Sequence, residues 1–199
     1  PSNRNAIQGG TWNDLNILFN NIHHINSSAS PTLMVTHAVE YTVPSSGVSN
    51  VTVSDNCIHD IGSANLTGNS ASAIGILGSN SLGTLTGLNI ERNSIDDVAV
   101  SNATWPTGKI AYGIMINTGG NGSYMTNGKV IGTTFREHVV NQAGGVYLNG
   151  PGLVSNCLFV ANTATLGAAI RMQSGNGVVA SCQFVSNSVG TVGTVYFQG

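Results

Sequence analysis

The sequence predicts an all-β fold: a right-handed parallel β-solenoid of about six rungs, each of three short strands, with long loops in the N-terminal rungs. Three observations predict it. A short apolar phrase recurs along the chain, a glycine-rich apolar phrase follows each copy, and an asparagine returns at one turn. β-branched and aromatic residues alternate with polar ones between Gly and Asn punctuation, and the 3.6-residue stripe of an amphipathic helix is missing.

The first phrase spans Leu15 to Ile25, Val51 to Ile61 and Leu88 to Val98, with shorter versions around Val130 to Val139, Val154 to Asn162 and Val178 to Asn187. Anchored on Ile22, Ile58, Ile95, Phe135, Phe159 and Phe184, the copies are 36, 37, 40, 24 and 25 residues apart. The shortest step holds three strands of about four or five residues with their turns, and lengthened loops account for the longer steps. In the glycine-rich phrase, Glu40, Leu77, Met115, Tyr147, Arg171 and Tyr196 are expected to face outward.

The recurring turn residue is Asn20, Asn56 and Asn93, continued at the same repeat position by Thr133, Cys157 and Cys182. Stacked asparagine amides satisfy one another along such a ladder. Cys157 and Cys182 share a rung position within disulfide reach of each other, although stacked free thiols are the preferred reading. Cys57 sits one position later in its repeat and is expected to stand apart.

Composition narrows the function. Of 199 residues only 7% are charged and 41% are hydrophobic, so a core exists and polarity is carried by neutral groups. A net charge of -2 offers no footprint for nucleic acid. No apolar run is long enough for a transmembrane segment, and no signal peptide is visible. The expected location is secreted or cell-surface, with the export signal outside this chain. Three cysteines without close pairing argue against a disulfide scaffold or a zinc site, so metal ligands are expected to be none.

These phrases resemble the right-handed parallel β-helix superfamily with pectate-lyase-like members, which implies three-strand rungs, an inward asparagine ladder and variable loops at the corners. The last third resembles the repeats of chlamydial polymorphic outer-membrane proteins. Phe159-Val160-Ala161-Asn162 and Phe184-Val185-Ser186-Asn187 carry their Phe-x-x-Asn phrase; Gly167-Ala168-Ala169-Ile170, Gly144-Gly145-Val146 and Gly193-Thr194-Val195 are degenerate forms of their glycine-rich phrase, and Phe135-Arg136-Glu137-His138 departs from the first. That resemblance implies an exported, surface-displayed module.

After the ladder turn the aligned copies give two polar columns. One holds His23, His59, Asp96 and Arg136, the other His24, Asp60, Asp97 and Glu137. With rungs ~4.8 Å apart, Asp60, Asp97 and Glu137 form an acidic ladder able to grip a cation or polarise a sugar; the competing reading is a solvated polar face. The same tension applies to the tyrosines of the glycine-rich strand, which are either sugar platforms or ordinary strand residues. Sequons at Asn26, Asn50, Asn65, Asn102 and Asn121 are possible glycosylation sites.

The expected domain is a single solenoid over residues 1–199, a segment of a longer solenoid or a stacking subunit, because neither end carries a polar cap. The leading function is an extracellular structural or adhesive solenoid that self-associates through its open ends, more a scaffold than an enzyme. The alternative is a polysaccharide-active lyase or hydrolase, or a carbohydrate-binding β-helix, using the His/Asp/Glu columns or a groove near Trp105 and Tyr112. No catalytic residue is assigned, and no cofactor is expected except calcium under the enzyme alternative.

Overall fold

Alternation of apolar and polar residues makes each recurring phrase a strand with one inward face. The computed structural model describes residues 4–26, 35–62, 70–78, 83–99, 110–117, 125–140, 143–173 and 176–198. Among them there is no helix, and the strands lie in parallel sheets.

Sheet A holds the glycine-rich strands Arg4–Gly10, Val35–Val43, Ser70–Gly78, Ile110–Asn117, Ala143–Asn149, Ile170–Gln173 and Val195–Gln198, in chain order. Sheet B stacks Asn16–Leu18, Thr52–Ser54, Asn89–Glu91, Gly128–Ile131, Gly152–Ser155 and Gly177–Ala180. Sheet C stacks Asn21–Asn26, Cys57–Gly62, Ser94–Ala99, Thr134–Arg136, Leu158–Val160 and Gln183–Val185. The chain passes through A, B and C in turn and returns one strand further along each, the path of a solenoid-like fold. Two short ladders, Val48–Ser49 with Leu85–Thr86 and Met125–Thr126, and Thr163–Ala164 with Ser188–Val189, had no counterpart in the three-strand expectation.

The six anchor residues pair in register from coil to coil: Ile22 with Ile58, Ile58 with Ile95, Ile95 with Phe135, Phe135 with Phe159 and Phe159 with Phe184. The first five are buried and form one face of the core, and Phe184 continues the column partly exposed. The three phenylalanine rings stack nearly parallel at 4.8 and 5.2 Å, each stack worth about 0.5–1.5 kcal/mol beyond area burial. Glycines across the core make the room: a Cβ on Gly145 would lie 2.3 Å from the Phe159 ring, and one on Gly113 would lie 3.1 Å from that of Phe135. The pairing of a phenylalanine phrase with a glycine-rich phrase in these coils is therefore steric.

Corners are made by single residues in the left-handed region. Phe19, Asp55, Arg92, Gly132, Asn156 and Ser181 turn the chain from sheet B to sheet C at φ between 50 and 60°. Left-handed backbone costs a non-glycine residue roughly 1–2 kcal/mol, and the corner offsets it by keeping its ladder bond. Asp55 N–H, for instance, donates to the Glu91 carbonyl at 3.1 Å, and Arg92 N–H to that of Ile131 at 2.9 Å. Arg92 also reaches Asp55 through two 2.8 Å bonds, which hold the Asp55 carboxyl below the usual range.

Candidate functional site

The two polar columns lie at the far end of sheet C. His23, His59, Asp96 and Arg136 are successive partners in the sheet, while His24, Asp60, Asp97 and Glu137 occupy a second column of left-handed corners at φ between 48 and 57°. A left-handed residue interrupts the strand alternation, so two consecutive side chains avoid the core and both columns form one ridge. His23 stacks on His59 with ring centroids 5.0 Å apart and contacts His24 through Nδ1.

Electrostatics divides the carboxylates of this ridge. The His59 ring bonds Asp60 at 2.7 Å and holds its carboxyl below the ordinary value, with His24 3.8 Å away. Desolvation raises Asp97, and the neighbouring Asp60 and Glu137 add to the rise. The two neighbouring carboxyls are thus shifted in opposite directions, Asp60 down and Asp97 up. Among the described residues, no group of three or more His, Cys, Asp or Glu is arranged to hold a metal ion.

The turn from sheet B to sheet C contains an interior ladder. Asn20 donates from both its backbone N–H and Nδ2 to Asn56 Oδ1 at 2.9 Å, and Asn56 does the same to Asn93 Oδ1 at 3.0 and 2.9 Å. The Nδ2 groups of Asn56 and Asn93 also reach a carbonyl one coil back, that of Ile17 at 3.0 Å and that of Val53 at 2.9 Å, while Asn20 Nδ2 donates to Leu18 in its own coil. Cysteine thiols take over that donor position further up: Cys157 Sγ lies 3.6 Å from the Val130 carbonyl and Cys182 Sγ 3.6 Å from that of Val154. Thr133 connects the two halves by accepting from Asn93 N–H at 3.4 Å.

A second ladder, at the next turn, escaped the sequence reading. Asn162 donates from N–H and Nδ2 to Asn187 Oδ1 at 3.1 and 2.9 Å, His138 N–H donates to Asn162 Oδ1 at 3.1 Å, and Val98 N–H donates to His138 Nδ1 at 2.9 Å. The Phe-x-x-Asn phrases were its signal, since their last residue is the ladder residue. His138, which breaks the phrase, replaces an amide oxygen with a ring nitrogen. Its Nε2 is buried without a hydrogen-bond partner, and burial lowers its pKa to about 3.

On the outer face of sheet A, Glu40, Met115, Tyr147, Arg171 and Tyr196 share one column, but Leu77 does not. Gly75 pairs with Glu40 and Met115, whereas Leu77 pairs with Thr42 and Asn117. The inward pair Ile74 and Ile76 sets this register, two residues away from the alignment by apolar character. Gly75 leaves a niche filled by the His37 ring, which a Cβ there would approach to 2.8 Å. Inside it His37 Nδ1 bonds Ser72 Oγ at 2.6 Å, Nε2 lies 3.9 Å from Glu40, and Gln8 Nε2 donates to Glu40 at 3.1 Å. Burial lowers the pKa of His37 to about 4.

Further along the same face Tyr112 stacks on Tyr147 at 4.8 Å, Arg171 lies over the Tyr147 ring at 5.5 Å, and Arg171 donates to Gln198 at 2.7 Å. Tyr112, Tyr147 and Arg171 are buried, so these rings do not form an open sugar platform in this structure.

All three cysteines are free thiols, with Cys57 exposed and paired in register with Asn21 and Ser94. Asn50 is exposed at a left-handed corner and donates to Asp14 at 2.8 Å. Asn26 closes a strand of sheet C; Asn65, Asn102, Asn121 and Trp105 lie outside the described residues. No described helix is long and apolar enough to cross a membrane. No protein-family model, curated protein or solved structure matches this chain.

Proposed function

We propose that this chain is a right-handed parallel β-helix of about six rungs, akin to the pectate-lyase-like and chlamydial repeats it resembles, acting as an extracellular structural or adhesive scaffold. The observation that carries this reading is the unbroken register of the column from Ile22 to Phe184, reinforced by two interior polar ladders. A coil whose neighbours are tied through backbone, amide and ring contacts is stiff, and its exposed neutral groups offer weak contacts that multiply with repetition. Self-association along the solenoid axis belongs to the same reading, since each coil offers its strand edges to the next. Electron microscopy of the purified chain at high concentration is expected to show end-to-end filaments. A field of separated particles at every concentration overturns the assembly.

A second reading, carbohydrate turnover on the sheet C ridge, is favoured by the opposite shifts of Asp60 and Asp97. Neighbouring rungs ~4.8 Å apart bring two carboxyl groups near the roughly 5–5.5 Å used by retaining glycosidases. Under this reading, acidic polysaccharides incubated with the protein, with and without calcium, yield reducing ends or unsaturated products. Asp97→Asn is expected to lower that yield at least 100-fold while leaving the circular dichroism unchanged. Equal yield from the variant removes the ridge as the site.

A further inference from the structure

Cys157 and Cys182 stand on consecutive coils, bracketed by register pairs on both sides: Ser155 with Ala180 before them and Leu158 with Gln183 after them. The backbone is tied at the pair itself, where Gln183 N–H donates to the Cys157 carbonyl at 2.9 Å and Asn156 N–H to that of Ala180 at 3.1 Å. In-register neighbours place α-carbons ~4.8 Å apart, inside the roughly 4.4–6.8 Å that a disulfide spans. Both thiols take the same orientation, each near the carbonyl two residues before it, at 3.2 Å for Cys157 and 3.4 Å for Cys182. They differ in access: Cys157 is 1% exposed, while Cys182 is half-buried.

We propose that this pair is a thiol-modification site that takes a small-molecule disulfide and converts it into a clip between the last two described coils. Cys182 is the entry thiol. Its thiolate attacks one sulfur of the small disulfide, forming a mixed disulfide and expelling one thiolate. Cys157 then attacks the Cys182 sulfur, the protein disulfide forms, and the second small thiolate leaves. Two cysteine thiols are oxidised, one small disulfide is reduced to two thiols, and the two cysteine protons end on the released thiolates. Cys157 is too buried for a small disulfide to reach it first, and it meets only the adjacent Cys182 sulfur. Cys57 takes no part, because its partners in the neighbouring coils are Asn21 and Ser94.

The test is intact-mass spectrometry of the folded Cys57→Ser protein incubated with oxidised glutathione. The expected product has lost two hydrogens, and peptide mapping joins Cys157 to Cys182; added reductant restores the starting mass. With Cys157→Ser in addition, the reaction is expected to stop at one glutathione adduct on Cys182, and with Cys182→Ser the folded protein is expected to gain no adduct. The oxidised form is expected to resist heat better than the reduced form, since the clip closes a 25-residue step. A stable adduct on Cys182 beside a free Cys157 overturns the proposal, as does an unchanged mass when the same thiols react after unfolding. Both outcomes are read on the Cys57→Ser protein, without the further variants.

Discussion

Replacing Asn56 by Asp is expected to destabilise the protein by about 3–5 kcal/mol at neutral pH, the range for a buried charge left without a partner. Asn56 is 2% exposed, and its Nδ2 donates to Ile17, Ser54 and Asn93. An aspartate would turn a second oxygen toward three acceptors while its first still receives the bonds of Asn20. Urea unfolding followed by circular dichroism measures the loss. The deficit is expected to shrink as the pH falls and the carboxyl gains a proton, because a neutral acid restores one donor. A deficit below about 1 kcal/mol would mean that the ladder contributes no more than an ordinary exposed hydrogen bond.

The second large effect is acid sensitivity through the buried histidines. His138 and His37 have folded pKa values lowered to about 3 and about 4, whereas the unfolded chain takes up protons near pH 6.5. Both groups therefore favour the folded state above that unfolded value, and this contribution drains away as the pH falls toward their folded values. Between pH 7 and pH 4.5 the loss is expected to be on the order of 2–3 kcal/mol for each histidine. His138→Asn is expected to remove its share of that loss. The new amide oxygen would accept from Val98 N–H as Nδ1 does now, and its nitrogen would reach the Ile95 carbonyl as Asn162 Nδ2 reaches that of Phe135 at 3.1 Å. Equal urea midpoints at both pH values, in wild type and variant alike, would contradict this account.

Much of the architecture was legible in the residues. The anchors Ile22 through Phe184 were identified from spacing alone, because the inward face of a strand and the period of a coil both leave a regular apolar trace. The candidate ridge was legible in part: the two columns were read from aligned copies, but their common outward direction was not. It depends on His24, Asp60, Asp97 and Glu137 adopting left-handed backbone, a conformation that none of these residue types requires as Gly often does.

The second ladder was hidden for a related reason. An inward asparagine and an exposed one are the same letter, and His138 occupying the same position conceals the column further. Leu77 faces outward as expected and packs against Tyr112, Met115 and Tyr147, but it lies two residues along from the Glu40 column, because apolar character marks the strand but not which of its neighbours aligns with Glu40. That choice belongs to Ile74 and Ile76, which lock into the core and leave Gly75 outside, under the ring of His37.

Residue order by itself determined the strands, the coil spacing and the inward apolar column, since alternation and recurrence are properties of the chain. Only the tertiary structure decided how polar groups meet: the Asp60 and Asp97 asymmetry, the niche of His37 and the unequal burial of Cys157 and Cys182. Those encounters depend on register and corner geometry between residues about 24 to 40 positions apart, which closing each coil establishes and no local preference encodes.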